Sequence, residues 1–222
     1  MLKRRIGTAF VIIGAVLMLS ALLLVAYNAL ESRKAGEAAF NALSSLQAAM
    51  ETQSPDSSLG QDENDDMQGS DADQEEIPEP TDLTVVVIDG YGYIGYIDIP
   101  AFELKLPIMD DWSMERLQTA PCLQYGSPLT NDAVIAGHNY KHHFLPLHTI
   151  EVGEKITFTD MTGYVIEYEV ADVKTINPTS VSEVIDSEYD LILYTCTTGG
   201  QYRVTVRCNR VNQTVKTPEA KG

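Results

Sequence analysis

The hydrophobic pattern changes character twice along the chain. Residues 6–27 form an unbroken apolar run with no charged side chain, rich in Leu, Ile, Val and Ala. A run of that length crosses a bilayer core as a helix. The stretch that follows, ESRKAGEAAFNALSSLQAAMET, is Ala-rich and continues the helix outward. Next comes QSPDSSLGQDENDDMQGSDADQEEIPEP, polar and nearly free of large apolar side chains. Such a segment buries too little surface to offset its ordering entropy, so it is expected to be disordered. From Leu83 onward the pattern becomes short apolar and β-branched runs broken by turn residues. YIGYIDIP, DAVIAGHNY, EKITFTD, GYVIEYEVADVKTI and LILYTC are the strand candidates, and SMERLQTAP a short helix capped by Ser113. Many short strands with little helix point to a β-barrel or sandwich.

One pair of strands can be registered by counting. LILYTCTT and QYRVTVR flank Gly199-Gly200, and a Gly-Gly pair suits a two-residue hairpin turn because both positions need positive φ. Cys196 then faces Arg203, with Cβ atoms about 4.5–5.5 Å apart. The period of two sorts the hairpin into faces. Leu191, Leu193, Thr195, Val204, Val206 and Cys208 form the core face. Ile192, Tyr194, Cys196, Arg203, Thr205 and Arg207 form the other. A guanidinium beside a cysteine favours thiolate and can hold a developing oxyanion. Arg207 and Arg210 compete for the same role, though Arg207 lies further along the face and Arg210 falls on the opposite one.

Charge refines the outline. The net charge is −17 over 222 residues, but residues 51–82 alone hold twelve acidic side chains and no Lys or Arg. The acidity argues against a nucleic-acid partner. Lys3, Arg4 and Arg5 precede the apolar run, which places the N-terminus in the cytoplasm and the remainder outside. The expected divisions are a cytoplasmic tail at 1–5, a transmembrane anchor at 6–30, a helical and then acidic disordered stalk at 31–82, and a folded domain at 83–222. A cleaved signal peptide is the alternative, although its apolar region usually runs about 7–15 residues.

The cysteine count is odd, with Cys122, Cys196 and Cys208. An unpaired cysteine outside the membrane suggests a reactive thiol. Cys122 and Cys208 could pair, but packing as buried thiols is the simpler reading. A cysteine nucleophile needs a histidine brought close in space. His138 follows the apolar AVIAG and is well placed to enter a cleft. His142 and His143 sit in a polar loop and are expected at the surface. The cysteines lie on opposite predicted faces, which does not suit a zinc site. DENDDMQGSDAD lacks the ligand spacing of a calcium loop. No metal or other cofactor is expected.

LYTC, an arginine early on the next strand and an upstream GH after an apolar strand together resemble the sortase family. IGYIDIPAFELKLPI and LPLHTIEVGEKITFTD are similar to its opening strand and to the segment after its histidine. The similarity runs over roughly 93–211. It implies a closed eight-stranded β-barrel and a membrane-anchored extracytoplasmic cysteine transpeptidase. Such an enzyme cleaves an LPXTG-like sorting signal through a thioacyl intermediate. It then transfers the protein to an amine of a cell-wall precursor or a pilin. Cys196 would be the nucleophile, His138 the acid/base and Arg203 the oxyanion-stabilising residue, with Thr195, Tyr194 and Asn139 touching substrate. The family often has Thr-Leu before the Thr-Cys pair where this chain has LILYTC, and the long helical insertion and the Asp-Pro-aromatic lid of particular subclasses are absent, so the subclass stays open. Outside the family, an L,D-transpeptidase would carry Ser-His-Gly-Cys, which is missing. A papain-like enzyme would place its cysteine before its histidine. A non-enzymatic anchored β-domain for adhesion or assembly would leave Cys196 inert.

Overall fold

A computed structural model of the chain describes residues 2–53 and 80–211. The expected disorder of the acidic segment falls on 54–79, outside the described residues. α1 (Leu2–Gln53) runs without a break through the apolar stretch and the Ala-rich stretch after it. The strands are β1 (Val86–Ile88), β2 (Tyr91–Ile99), β3 (Leu104–Met109), β4 (Cys122–Tyr125), β5 (Ala133–Ala136), β6 (Lys155–Asp160), β7 (Val165–Ile176), β8 (Leu191–Cys196) and β9 (Arg203–Arg210). Two one-turn helices interrupt them, α2 (Arg116–Thr119) and α3 (Ser182–Ile185). The N-cap of α2 is Glu115 and not the expected Ser113, whose Oγ nonetheless accepts the Arg116 N–H at 3.1 Å.

Eight strands close on themselves in the order β2-β3-β4-β5-β8-β9-β7-β6, and β6 pairs back onto β2 to complete the barrel. The expected closed eight-stranded β-barrel with short helices is therefore what forms. β1 is a ninth strand, hydrogen-bonded to the first residues of β2 ahead of the stretch that β6 uses. β3–β4 and β5–β8 run parallel and the remaining pairs antiparallel. Both parallel joints need a crossover. The first uses the α2 segment, and the second carries the chain through β6, β7 and α3.

The barrel interior is aliphatic and aromatic. Ile97, Ile108, Ile135, Phe144, Phe158, Leu193 and Val206 are fully buried there. A second apolar cluster lies outside it, where Ala42 and Leu46 of α1 meet Tyr93, Met109, Ala120, Cys122 and Met161. Ala35, Ala39, Ala42, Leu43 and Leu46 form a buried stripe at helical spacing along α1. Small side chains let this helix lie close on the barrel. By contrast, the large apolar side chains from Ile12 to Leu30 are exposed. Among the described residues, α1 is the helix long and apolar enough to cross a membrane.

Candidate functional site

β8 and β9 pair in the register counted from the sequence, with Cys196 opposite Arg203, Thr195 opposite Val204 and Tyr194 opposite Thr205. The turn is longer than expected. The strands stop at Cys196 and resume at Arg203, leaving a six-residue loop in place of a two-residue turn. Gly199 and Gly200 do take positive φ, 89° and 74°. The register survives because the Thr197 N–H bonds to Tyr202 O at 3.0 Å and the Tyr202 N–H to Thr197 Oγ1 at 3.1 Å.

The faces separate as the alternation implied. Leu191, Leu193, Thr195, Val204, Val206 and Cys208 are buried. Thr195 is 1% exposed, so its side chain belongs to the core and not to a substrate surface. Cys196, Tyr194 and Arg203 are half-buried on the other face. Ile192 and Thr205 share that face yet are buried too.

Tyr194, Arg203 and Thr205 border a groove of about 480 Å³, walled opposite by Ile176, Val181 and Val184 of the β7–β8 segment and reached by Trp112 and Tyr125. Its lining is mainly apolar with a few polar groups, the usual make-up of a peptide- or ligand-binding cleft. The Tyr194 hydroxyl donates to Gln124 Oε1 at 2.5 Å. Burial pushes that hydroxyl's pKa up, with the nearby Arg203 guanidinium acting against the shift.

The competing arginines are otherwise engaged. Arg207 is ion-paired to Asp172 at 3.5 Å and to Glu183 at 3.9 Å, and it lies over the Tyr189 ring. Arg210 donates to Asn131 and to the Tyr164 hydroxyl on the far side of the sheet. Arg203 uses Nη1 on the carbonyls of Gly200 and Tyr202, both at 3.1 Å.

The histidine loop begins where β5 ends. Gly137 donates its N–H to Tyr194 O, which ties the start of the loop to β8. A Cβ at Gly137 would lie 2.2 Å from the Phe144 ring, so glycine is required for that aromatic to fill the core beneath. His138 Nδ1 lies 3.3 Å from Asn139 Oδ1, and its ring stacks on Tyr140 at 3.9 Å and 5°. Burial lowers the His138 pKa, while Asn139 and Glu31 pull it back upward. Among the described residues no hydrogen bond joins His138 to the Cys196 thiol. Unliganded sites often hold such partners apart until substrate arrives.

Asn139 and His148 join the loop to the end of β8. Asn139 Nδ2 donates to Thr197 O at 3.4 Å, and His148 Nε2 lies 3.1 Å from Cys196 O. His148 and Asn139 together hold the backbone carbonyls of Cys196 and of the residue that follows it. The sequence had drawn attention to Asn139 alone.

His143 corrects an expectation. It is 0% exposed, with Nε2 3.4 Å from Ala35 O of α1, so it is no surface residue. Burial drives its pKa down to about 4. His142 is exposed as expected. The three cysteines are free; Cys122 and Cys208 are buried in separate apolar clusters and do not pair. Among the described residues no cluster of side chains could hold a metal ion.

Comparison with known proteins follows the same outline. No curated protein matches the sequence. Among solved structures the chain is similar to sortase A from Corynebacterium diphtheriae, at 25% identity and a TM-score of 0.52. That match covers 59% of this chain and 66% of the other, just under two thirds of its length. A lid mutant of the same enzyme matches at 27% identity and a TM-score of 0.50, over 57% of this chain and 74% of that one. Sortase C from Streptococcus pneumoniae is 27% identical over 54% of this chain and 68% of its own, with a TM-score of 0.49. The family model for the sortase domain matches residues 97–211, more than half of the chain and nearly all of the barrel, and by that match the chain belongs to the sortase family.

Proposed function

We propose that this chain is a membrane-anchored, extracytoplasmic transpeptidase. It cleaves an LPXTG-like sorting signal and joins the released protein to an amine. Residues 6–30 of α1 form the anchor, with the barrel on the outer side. The observation that carries the reading is the pairing of Cys196 with Arg203 at the edge of the groove, with the His138 loop bonded to the same strand end.

The extended signal occupies the groove beside Tyr194, its scissile Thr–Gly carbonyl over Cys196. The Cys196 thiol passes its proton to His138 as its sulfur attacks that carbon, and the carbonyl electrons move to oxygen. Arg203 steadies the oxyanion through Nε and Nη2, Nη1 being used on its own loop. When the tetrahedral species collapses, the C–N bond breaks and His138 gives its proton to the departing glycine amine. A thioester on Cys196 remains. An acceptor amine, from a cell-wall precursor or a pilin lysine, attacks it and loses a proton to His138, and the Cys196 sulfur departs. No cofactor takes part.

The test is mass spectrometry of the chain mixed with a sorting-signal peptide. A thioacyl adduct on Cys196, discharged by an added amine, is the expected result. No adduct on Cys196 with any LPXTG-like peptide, together with slow thiol alkylation, would favour the alternative of an inert adhesive β-domain.

A further inference from the structure

The segment of α1 just beyond the apolar run lies against the loop that carries His138. Ser32 Oγ accepts the Lys141 N–H at 3.2 Å. Ala35 O meets His143 Nε2 at 3.4 Å. Gly36 sits so close that a Cβ there would lie 2.9 Å from the Cβ of His142. That contact is against the root of the side chain, so no simple rotamer change could relieve it. The three contacts fall on consecutive loop residues, 141 to 143.

The buried His143 continues the contact inward. Its ring lies 5.7 Å from Tyr140, tilted by 53°. Tyr140 in turn stacks flat on His138 at 3.9 Å. The backbone closes the same unit, since the His143 N–H bonds to Tyr140 O and the Phe144 N–H to His138 O. His143 is fully buried, and its Nδ1 has no hydrogen-bond partner among the described residues. A buried imidazole with an unmet nitrogen is costly. Its contacts with α1 and Tyr140 are what the position supplies in return.

We propose that α1 is a positioning element of the site. Ser32, Ala35 and Gly36 fix the loop, and His143 and Tyr140 transmit that placement to the ring of His138. The proposal rests on His138 acting as the acid/base. It makes the membrane helix part of the site and not merely a tether. A proton-transfer group needs its geometry held closely, and a 1 Å error can cost on the order of 10²-fold in rate.

The groups facing His138 are Asn139 and Tyr140 of its own loop, His143 beyond them, and Glu31 of α1. Burial is the largest influence on His138 and lowers its pKa, while Glu31 raises it. Lifting α1 takes Glu31 away and changes the burial of the loop, so the His138 inflection moves.

The experiment uses the full chain in detergent micelles with a fluorogenic sorting-signal peptide and an amine acceptor, across pH. Gly36→Val pushes α1 from the loop. The expected result is a fall in kcat of about ten- to a hundredfold, KM within about twofold, and the His138 inflection displaced from its wild-type pH. Unchanged kcat and inflection overturn the proposal. If Gly36→Val loses the barrel's melting transition, Tyr140→Leu and Tyr140→Phe decide. Loss in the first with rescue in the second supports the stack, and wild-type behaviour in both overturns it. His138→Ala separates the two readings. An inactive His138→Ala beside a wild-type Gly36→Val defeats only the positioning role, whereas an active His138→Ala removes the acid/base reading beneath it.

Discussion

Arg203 stands directly across the β8–β9 pair from Cys196, while Arg207, on the same face, is held by Asp172 and Glu183. The two arginines therefore predict different defects. Arg203→Lys keeps the charge but loses the planar fork, so loop carbonyls and oxyanion cannot both be served. Peptide cleavage should fall by about 10²–10³-fold, the usual cost of one oxyanion donor. Arg207→Lys should leave kcat within a few-fold and loosen α3, seen as faster amide exchange over 180–186.

Thiol reactivity should be confined to one residue. Burial pushes the Cys122 thiol up to about 12 and raises that of Cys208 as well. Only Cys196 is half-buried. A methanethiosulfonate reagent at neutral pH should add one label to the native chain and three after denaturation. Cys196→Ala should remove the native label entirely.

Acid should destabilise the molecule partly through His143. Its pKa is about 4 when folded against an ordinary 6.5. A depressed histidine contributes stability above the unfolded pKa and loses it as pH falls through the folded one. The contribution is on the order of 3 kcal/mol, lost between about pH 6.5 and 4. His143→Phe should flatten that part of the melting profile. An equal drop in wild type and variant would assign the loss to carboxylates alone.

α1 should add measurable stability to the barrel. Leu46 is fully buried against Tyr93, Met109 and Met161. Leu46→Ala should lower unfolding stability by about 2–5 kcal/mol in denaturant titrations. A chain starting at residue 80 should melt below one starting at residue 31.

Much of this was legible in the sequence. β2, β5, β6, β7, β8 and β9, the β8–β9 register and the candidate trio of Cys196, His138 and Arg203 follow from alternation, a Gly-Gly pair and a GH after an apolar strand, whereas the short β1, β3 and β4 were not marked out. The length of the 197–202 loop was not, because side-chain hydrogen bonds of Thr197 hold the register without a tight turn. Alternation also assigned Ile192 and Thr205 to the open face, and they are buried because the face is partly covered, as at Thr205, whose Oγ1 bonds to Lys174 O of β7. His143 looked like a surface residue because nothing local shows what lies across from it. Its cover is α1, more than 100 residues away in sequence. The signal was present as the stripe of Ala35, Ala39, Ala42, Leu43 and Leu46, hidden in an Ala-rich stretch where small residues suggest helix without saying what it touches.

The docking of α1 fixes the operating height of the proposed enzyme. An α-helix rises about 1.5 Å per residue, so Ala35, which meets the histidine loop, lies only about 8 Å along the axis beyond Leu30. Residues 54–79 join the far end of the helix back to the barrel, so lengthening them would not lift the site outward. A chain built this way has almost no radial reach. With residues 6–30 as the proposed anchor, its donors and acceptors would have to arrive at the lipid surface, and a protein already folded deep in the wall would be beyond it.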